Sequence, residues 1–367
     1  MSARRIVTYL LARAGLTING PNEYDPQVQN DGFYRRLLLQ GSIGLGDMYM
    51  EQWYTVGRID LMIERILRSG IGDFVPQLDH MWLKIRSVLF DRQTKPRAQQ
   101  NVSDHYDLDP DFFVGVLGAT NSYTCGRFVG TESLDEAQTA KMEIMCRKAE
   151  LEPGERLLDI GCGWGGFAAH AAANYGVDVT GISLSQPQLD YAKGRYGNLR
   201  IDFRHQDYRD FVGIVDKITS ICMIEHVGPR HFGTYFERAR RALPKHGLFA
   251  LQCIISNKGS TNDAWVDKHI FPGGNLVRMD ALRRATDGLF HFLDEEFFGG
   301  DYVKTLRAWH GNLVARKDAV IAKYGLEHYR KYEYYFMAFV GSFLAERITV
   351  AQFVLSPERR QYTPVRL

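Results

Sequence analysis

No run of about 18 apolar residues occurs anywhere in this 367-residue chain, so nothing in it reads as a transmembrane helix and a soluble or peripheral protein is expected. No C-x-x-C pair is present either. The five cysteines (Cys125, Cys146, Cys162, Cys222 and Cys253) are odd in number and widely spaced, which argues against a zinc site or a disulfide scaffold and points to a reducing cytoplasm. An excess of one charge is missing as well: 45 Lys and Arg face 43 Asp and Glu, too even a balance to hold nucleic acid through its phosphates. Arg4 and Arg5 precede a short mixed segment, but Arg13 interrupts it and no small-residue cleavage site follows, which speaks against a secretory signal. Internal repeats and low-complexity tracts are absent.

What is present fits a folded globular protein, with 45% hydrophobic and 24% charged residues. The length allows one large core or two domains. Residues 1–98 read as a small, mainly helical unit, with periodic apolar positions at Ile6, Leu10 and Leu11 and again at Ile59, Met62, Ile63, Ile66 and Leu67. The stretch 81–90 places Met81, Trp82, Ile85, Val88 and Leu89 on one helical face beside Lys84 and Arg86. Packing inside the protein is the first reading of that face, and contact with lipid headgroups the second. The polar segment 91–103 is the best boundary, giving an N-terminal domain 1–98 and a second domain 99–367.

From about 134 onward strands alternate with helices. Helices are expected at 134–150, 165–175, 187–196 and 232–243, and strands at 156–160, 177–182, 214–223 and 248–255. Such alternation means parallel strands joined by right-handed helical crossovers, an α/β fold whose ligands bind beyond the carboxyl ends of the strands.

The strongest local signal is D-I-G-C-G-W-G-G at 159–166, between an expected strand and an expected helix. Gly161 and Gly163 let the backbone turn sharply and approach a ligand closely. The phosphate-loop pattern G-x-x-x-x-G-K-[ST] is absent, while Gly161, Gly163 and Gly166 satisfy G-x-G-x-x-G literally. Asp159 discriminates: an acid at the strand end repels a pyrophosphate but suits the ammonium of an amino-acid-like cofactor. With its strand and helix order, this loop resembles the class I S-adenosylmethionine-dependent methyltransferases. That resemblance implies a Rossmann-like fold with a mixed, mainly parallel sheet, an adenine site at Asp207 and Tyr208 in H-Q-D-Y-R, and polar groups for the ribose at Ser183 and Gln188.

A narrower resemblance, to the cyclopropane-fatty-acid synthases and the mycolic-acid cyclopropane synthases, runs through nearly the whole chain. It is carried by H-Y-D-L-D-P-D-F-F at 105–113, N-S-Y-T-C at 121–125, L-D-I-G-C-G-W-G-G, G-I-S-L-S-Q-P-Q at 181–188, M-I-E-H-V-G at 223–228, D-A-W-V-D-K-H-I-F-P-G-G at 263–274 and the aromatic stretch near 329–343. G-D-M-Y-M-E-Q-W at 46–53 and G-R-I-D at 57–60 resemble the extra N-terminal domain of the bacterial phospholipid enzymes. The resemblance implies transfer of a methylene from S-adenosylmethionine to the cis double bond of unsaturated phospholipid acyl chains, by a cytoplasmic enzyme peripherally associated with the inner membrane. It places Tyr123 and Thr124 at the cofactor, and it implies a bound bicarbonate as base, held near Cys125, Glu225 and Ile254, with no metal. Two positions depart from the family: Gln252 stands in Q-C-I where H-T-I is common, and His310 in A-W-H where A-W-Y is common. If both face one cavity, His310 supplies the donor lost at Gln252. The rival outcome is a methyl-branched or exomethylene chain. A homodimer formed through the N-terminal domain would suit a membrane-surface enzyme.

Bland readings stand beside these. Cys162 and Cys222 read as packed thiols. His105 is as well read as a loop residue, and the stripe Tyr332, Tyr335, Phe336, Phe339 and Phe343 as core before acyl tunnel.

Overall fold

A computed structural model describes residues 2–71, 110–258 and 263–366. The 98/99 boundary, the stretch 81–90 and His105 lie outside the described residues. By its internal contacts the chain forms two compact units. The first draws on the described residues of 1–92 and 261–272 together with Tyr302–Ile348, and the second on those of 93–260 with Gly273–Asp301 and the segment from Thr349.

The first unit is mainly helical. Helices Ala3–Arg13, Phe33–Met50, Ile59–Ser69 and Leu326–Leu344 form it, with a short ribbon pairing Gln27–Val28 with Tyr54–Thr55. Helices Ile59–Ser69 and Leu326–Leu344 come unusually close because Gly341 has no side chain: a Cβ there would stand 2.5 Å from the Asp60 carbonyl oxygen. Tyr332, Tyr335, Phe336 and Phe343 are buried in this unit, and Phe336 and Phe343 stack on Trp309 and Tyr302 with ring centroids 5.8 and 4.8 Å apart. That favours the core reading of the aromatic stripe. Among the described residues no helix is long and apolar enough to cross a membrane.

The second unit is built on a seven-stranded sheet: β1 (Arg156–Ile160), β2 (Asp178–Ser183), β3 (Ile201–His205), β4 (Lys217–Ile221), β5 (Leu248–Ser256), β6 (His291–Phe297) and β7 (Ile348–Ser356). The spatial order is β3-β2-β1-β4-β5-β7-β6. The pairs β1/β2, β1/β4, β2/β3 and β4/β5 are parallel and β6/β7 is antiparallel. The sheet is therefore the mixed, mainly parallel one expected. Alternation along the strands feeds two cores: Leu157, Val179 and Ala250 join Met145, Phe167 and Ala171 on one face, while Leu158, Ile218, Phe249 and Leu251 meet Phe232, Tyr235 and Phe236 on the other. Chain direction across the sheet reverses at β1, whose neighbours are β2 and β4, and the carboxyl ends there form the crevice where such sheets bind ligands.

The expected helices and strands appear within a residue or two, with one larger exception. The strand read at 214–223 is only Lys217–Ile221. Ile214 is half exposed, and Cys222 takes a left-handed backbone (φ 52°) that ends the ladder. Apolar Ile214 and Val215 before the strand and Met223 after it extend the pattern past both ends of the ladder.

Candidate active site

Beyond β1 the chain turns through Gly161, Gly163 and Gly165, all at positive φ (83°, 53° and 80°), before the helix Gly166–Tyr175. A Cβ on Gly161 would stand 2.6 Å from Met223 Cγ, so that glycine admits the loop after β4. On Gly163 it would meet nothing within 4 Å, so the turn borders open space there. Asp159, buried at the end of β1, accepts a hydrogen bond from Thr219 Oγ1 at 3.1 Å. Burial pushes its pKa up to about 7, against the opposing pull of the Thr219 hydroxyl and Lys141. Cys162 is buried and its thiol is pushed well above its ordinary value, in keeping with a packed role.

The segment 120–125 crosses the start of that helix: a Cβ on Gly166 would lie 2.9 Å from the Thr120 carbonyl oxygen. Tyr123 packs on Phe113 at 5.3 Å, Phe113 on Trp164 at 6.4 Å and Trp164 on Tyr191 at 5.3 Å, an aromatic wall beside the glycine turn. Helix Leu134–Lys148 pins this segment: Gln138 Nε2 donates to the Thr124 carbonyl at 2.7 Å, and Lys141 Nζ to Thr124 Oγ1 at 2.9 Å. Cys125 is fully buried, its thiol donating to the Gly126 carbonyl at 3.1 Å.

Glu225 lies in the single turn Ile224–His226 after β4. Its Oε1 accepts the Ile254 backbone N–H at 2.7 Å, while Oε2 is buried with no partner among the described residues. Burial raises its pKa to about 7 despite the Ile254 hydrogen bond. Gln252, at zero exposure on β5, accepts from Gln352 Nε2 of β7 at 2.9 Å, and its own Nε2 stands 3.7 Å from Cys222 Sγ. The Cys222 thiol is raised well above its ordinary value, by burial first and then by Glu225. Electrostatic coupling links Cys125, Cys222, Glu225, Lys141 and Asp159. Of the expected residues, Glu225 and Ile254 are thus in direct contact and Asp159 and Cys125 are coupled through Lys141, with one difference: the Ile254 N–H is already engaged by Glu225.

Farther along the crevice, Ser183 Oγ is 3.5 Å from Gln188 Oε1, joining the end of β2 to the helix Gln186–Tyr196. Asp207 is held by Arg209, whose Nε and Nη2 donate to its carboxylate at 2.8 and 2.6 Å. Tyr208 stacks edge-on against Tyr235 at 5.2 Å, and burial lifts its pKa to about 12. His310 belongs to the first unit, on the helix Gly299–Ala315. Its pKa is lowered by partial burial, with Glu333 and Asp60 pulling the other way.

Sequence reasoning passed over Asn121, Gln138, Lys141, Thr219 and Gln352. For two of them a signal exists. Leu134, Gln138, Lys141, Met145 and Lys148 fall at spacings of three and four, one stripe of a helix, and all are buried. Polar residues on such a stripe are the anomaly to notice.

Residues 93–353 match the mycolic acid cyclopropane synthetase family. The chain belongs to that family. It is 38% identical over 354 residues to the cyclopropane-fatty-acyl-phospholipid synthase of Escherichia coli K12, covering 96% of this chain and 93% of that enzyme. The structure of the cyclopropane synthase MmaA2 from Mycobacterium tuberculosis superposes with a TM-score of 0.68 at 30% identity, over 73% of this chain and 100% of that one. The mycolic acid cyclopropane synthase CmaA1, crystallised with SAH and CTAB, gives 0.66 at 30% identity over 70% and 98%.

Proposed function

We propose that this protein is an S-adenosylmethionine-dependent cyclopropane-fatty-acyl-phospholipid synthase, which adds a methylene across the cis double bond of an unsaturated acyl chain. The observation that carries this reading is Glu225: a buried carboxyl fixed by one oxygen to Ile254 N–H, its other oxygen open among the described residues, and coupled to Cys222, which in turn is coupled to Cys125. A simple binding protein has no need of such a group, which is costly to bury.

The residues fit the cofactor. Asp159, with only a hydroxyl for partner, suits an α-ammonium; Gly163 leaves room over the turn; Tyr123 and Trp164 offer apolar walls; Ser183, Gln188, Asp207 and Tyr208 are the groups for the nucleoside. S-Adenosylmethionine supplies the electrophilic methyl carbon. The chain's own work is to hold an alkene, a poor nucleophile, in line with that carbon; such positioning contributes roughly 7–11 kcal/mol. It must also keep water from the carbocation that follows, for which a fully buried Cys125 and the aromatic wall serve. Ring closure needs a base for one proton of the new methyl. Bicarbonate would supply it, held by the Glu225 Oε2 acceptor and the Gln252 Nε2 donor, with Gln352 fixing the Gln252 amide. His310 is assigned a donor role by its sequence position. Unsaturated phospholipids at the inner membrane surface are the substrates this reading calls for, met by a cytoplasmic, peripherally bound enzyme.

A second product is favoured by two observations: the Ile254 N–H is engaged, and Gln252 replaces an imidazole. A base no longer aimed at the new methyl would let the cation give up a proton from a neighbouring carbon, leaving a methyl-branched olefin, or, after a 1,2-hydride shift, from the methyl itself, leaving an exomethylene group. Expression in bacteria lacking cyclopropane lipids, followed by mass spectrometry of the fatty acids, decides. A gain of one CH₂ with loss of the olefin is expected; a retained or branched olefin would favour the second product, and unchanged lipids would sink both. His310→Phe is expected to cut turnover strongly and leave cofactor affinity unchanged, and wild-type rates in that variant would remove His310 from the chemistry.

A further inference from the structure

Lys141 is a lysine with 2% exposure, and its surroundings leave it incomplete. An ammonium carries three donors. Among the described residues Lys141 has a single hydrogen-bond partner, Thr124 Oγ1 at 2.9 Å, and it makes no ion pair. Burial draws its pKa down to about 8, and the groups that pull the other way are Cys222, Cys125 and Asp159. Of these only Asp159 is a carboxyl.

The polar groups around it are incomplete in a complementary sense. Asn121 has 2% exposure and a left-handed backbone (φ 49°), and neither Oδ1 nor Nδ2 finds a partner. Gln138 is fully buried; its Nε2 donates to the Thr124 carbonyl, but Oε1 is left open. Thr120 Oγ1 is also buried and unpaired. These groups sit on the segment that crosses the helix start after the glycine turn, or on the helix face beneath it. Buried polar groups without partners cost free energy, and several in one place signal a ligand that completes them. Open ammonium and amide donors beside open amide and carboxyl acceptors match one chemistry: a zwitterion with carboxylate and ammonium on a single carbon.

We propose that Lys141 is the cation that receives the α-carboxylate of the cofactor's methionyl end, with the Thr124 hydroxyl beside it. This rests on the reading that the glycine turn binds S-adenosylmethionine. Because Lys141 donates to Thr124 Oγ1, the Thr124 proton is directed away from it and serves as a second donor to the same carboxylate. Asp159 and the open oxygens of Asn121 and Gln138 are the matching acceptors for the ammonium.

The test is a cycle of four affinities on the full-length protein by titration calorimetry, using S-adenosylhomocysteine and its decarboxylated form, which differ only in the carboxylate. In the wild type the carboxylate should be worth roughly tenfold or more in affinity, the range of a charge-assisted hydrogen bond. In Lys141→Met that gap should close to within about threefold, while affinity for the decarboxylated ligand is kept, which also shows an intact fold. A gap unchanged by the mutation, or equal weakening of both ligands, overturns the proposal. Should Lys141→Met bind neither ligand, Lys141→Gln, which keeps a donor for Thr124 Oγ1, carries the same comparison. If the wild type binds neither, the cofactor reading itself fails, an outcome distinct from a wild type that binds both ligands equally.

Discussion

Lys141 and Lys148 lie two turns apart on the same buried stripe of the helix Leu134–Lys148, and they meet opposite surroundings. Lys148, at zero exposure, donates to Asp294 at 2.6 Å and approaches Glu296 at 3.0 Å. Arg366 grips Asp294 from its other side, and Arg127 joins Glu296 to Asp301. Three cations thus face three carboxylates, so each charge has a counter-charge within 4 Å, although Arg127 Nε and Nη1 and Glu296 Oε2 make no well-aligned hydrogen bond among the described residues. Burial disfavours ionisation of Asp294 and Glu296, but the hydrogen bonds from Arg366, Arg127 and Lys148 outweigh it and hold both carboxyls below their ordinary values. Lys141 has one hydroxyl and no ion pair. The same residue type, on the same face of one helix, is a completed structural element at the end away from the glycine turn and an unfinished one beside it. The ligand assigned above to Lys141 is the partner that would finish it.

The comparison is broken most sharply by deleting each ammonium. Lys148→Met takes the most deeply buried cation from Asp294 and Glu296 and leaves them to Arg366 and Arg127, which should cost about 3 kcal/mol of stability, the low end of the loss when one partner of a buried pair is removed. Urea unfolding of the ligand-free protein at neutral pH measures it, and a loss under about 1 kcal/mol would show the cluster to be less closed than its distances suggest. Lys141→Met removes a charge that no described residue pairs with. The ligand-free variant should therefore be as stable as the wild type or more so, because an incompletely satisfied buried charge is unfavourable. A large loss of stability on Lys141→Met would place both lysines in the same structural class.

How much of this was legible follows the range of the interaction. The turn D-I-G-C-G-W-G-G, the strand before it and the helix after it are local, and the expected elements at 156–160 and 165–175 match Arg156–Ile160 and Gly166–Tyr175 almost residue for residue. Glu225 and Cys125 could be picked out because the motifs around them are short and contiguous. The stripe that buries Lys141 is just as local, yet spacing alone cannot separate it from Lys148: the difference lies in Asp294 and Glu296 on β6, about 150 positions away. The hydrogen bond of Gln352 to Gln252, across 100 positions, was likewise invisible. It matters because it gives the Gln252 amide a fixed orientation. The engagement of Ile254 N–H by Glu225 needed the two loops to be folded together.

The two regions should also respond oppositely to pH. Asp294 and Glu296 have folded values below their unfolded ones, so the stability they contribute is present above the unfolded carboxyl range and is lost as pH falls through the lower folded values. Asp159 and Glu225 are raised from 3.8 and 4.5 to about 7, so the native state binds more protons than the unfolded chain between those limits. Their contribution is complete below the unfolded values and is lost as pH rises through about 7. These two carboxyls contribute a decline in stability from about pH 5 to pH 7.5, which His226 and His328, lowered to about 4 by burial, oppose up to about pH 6.5. Asp159→Asn should flatten that decline, since an amide has no proton to lose, and leave the acid limb set by Asp294 and Glu296 unchanged. The measurement is the melting midpoint against pH for the two proteins side by side. Parallel curves would mean that Asp159 is already ionised without ligand, and the contrast between a closed and an open charge site would then rest on Lys141 alone.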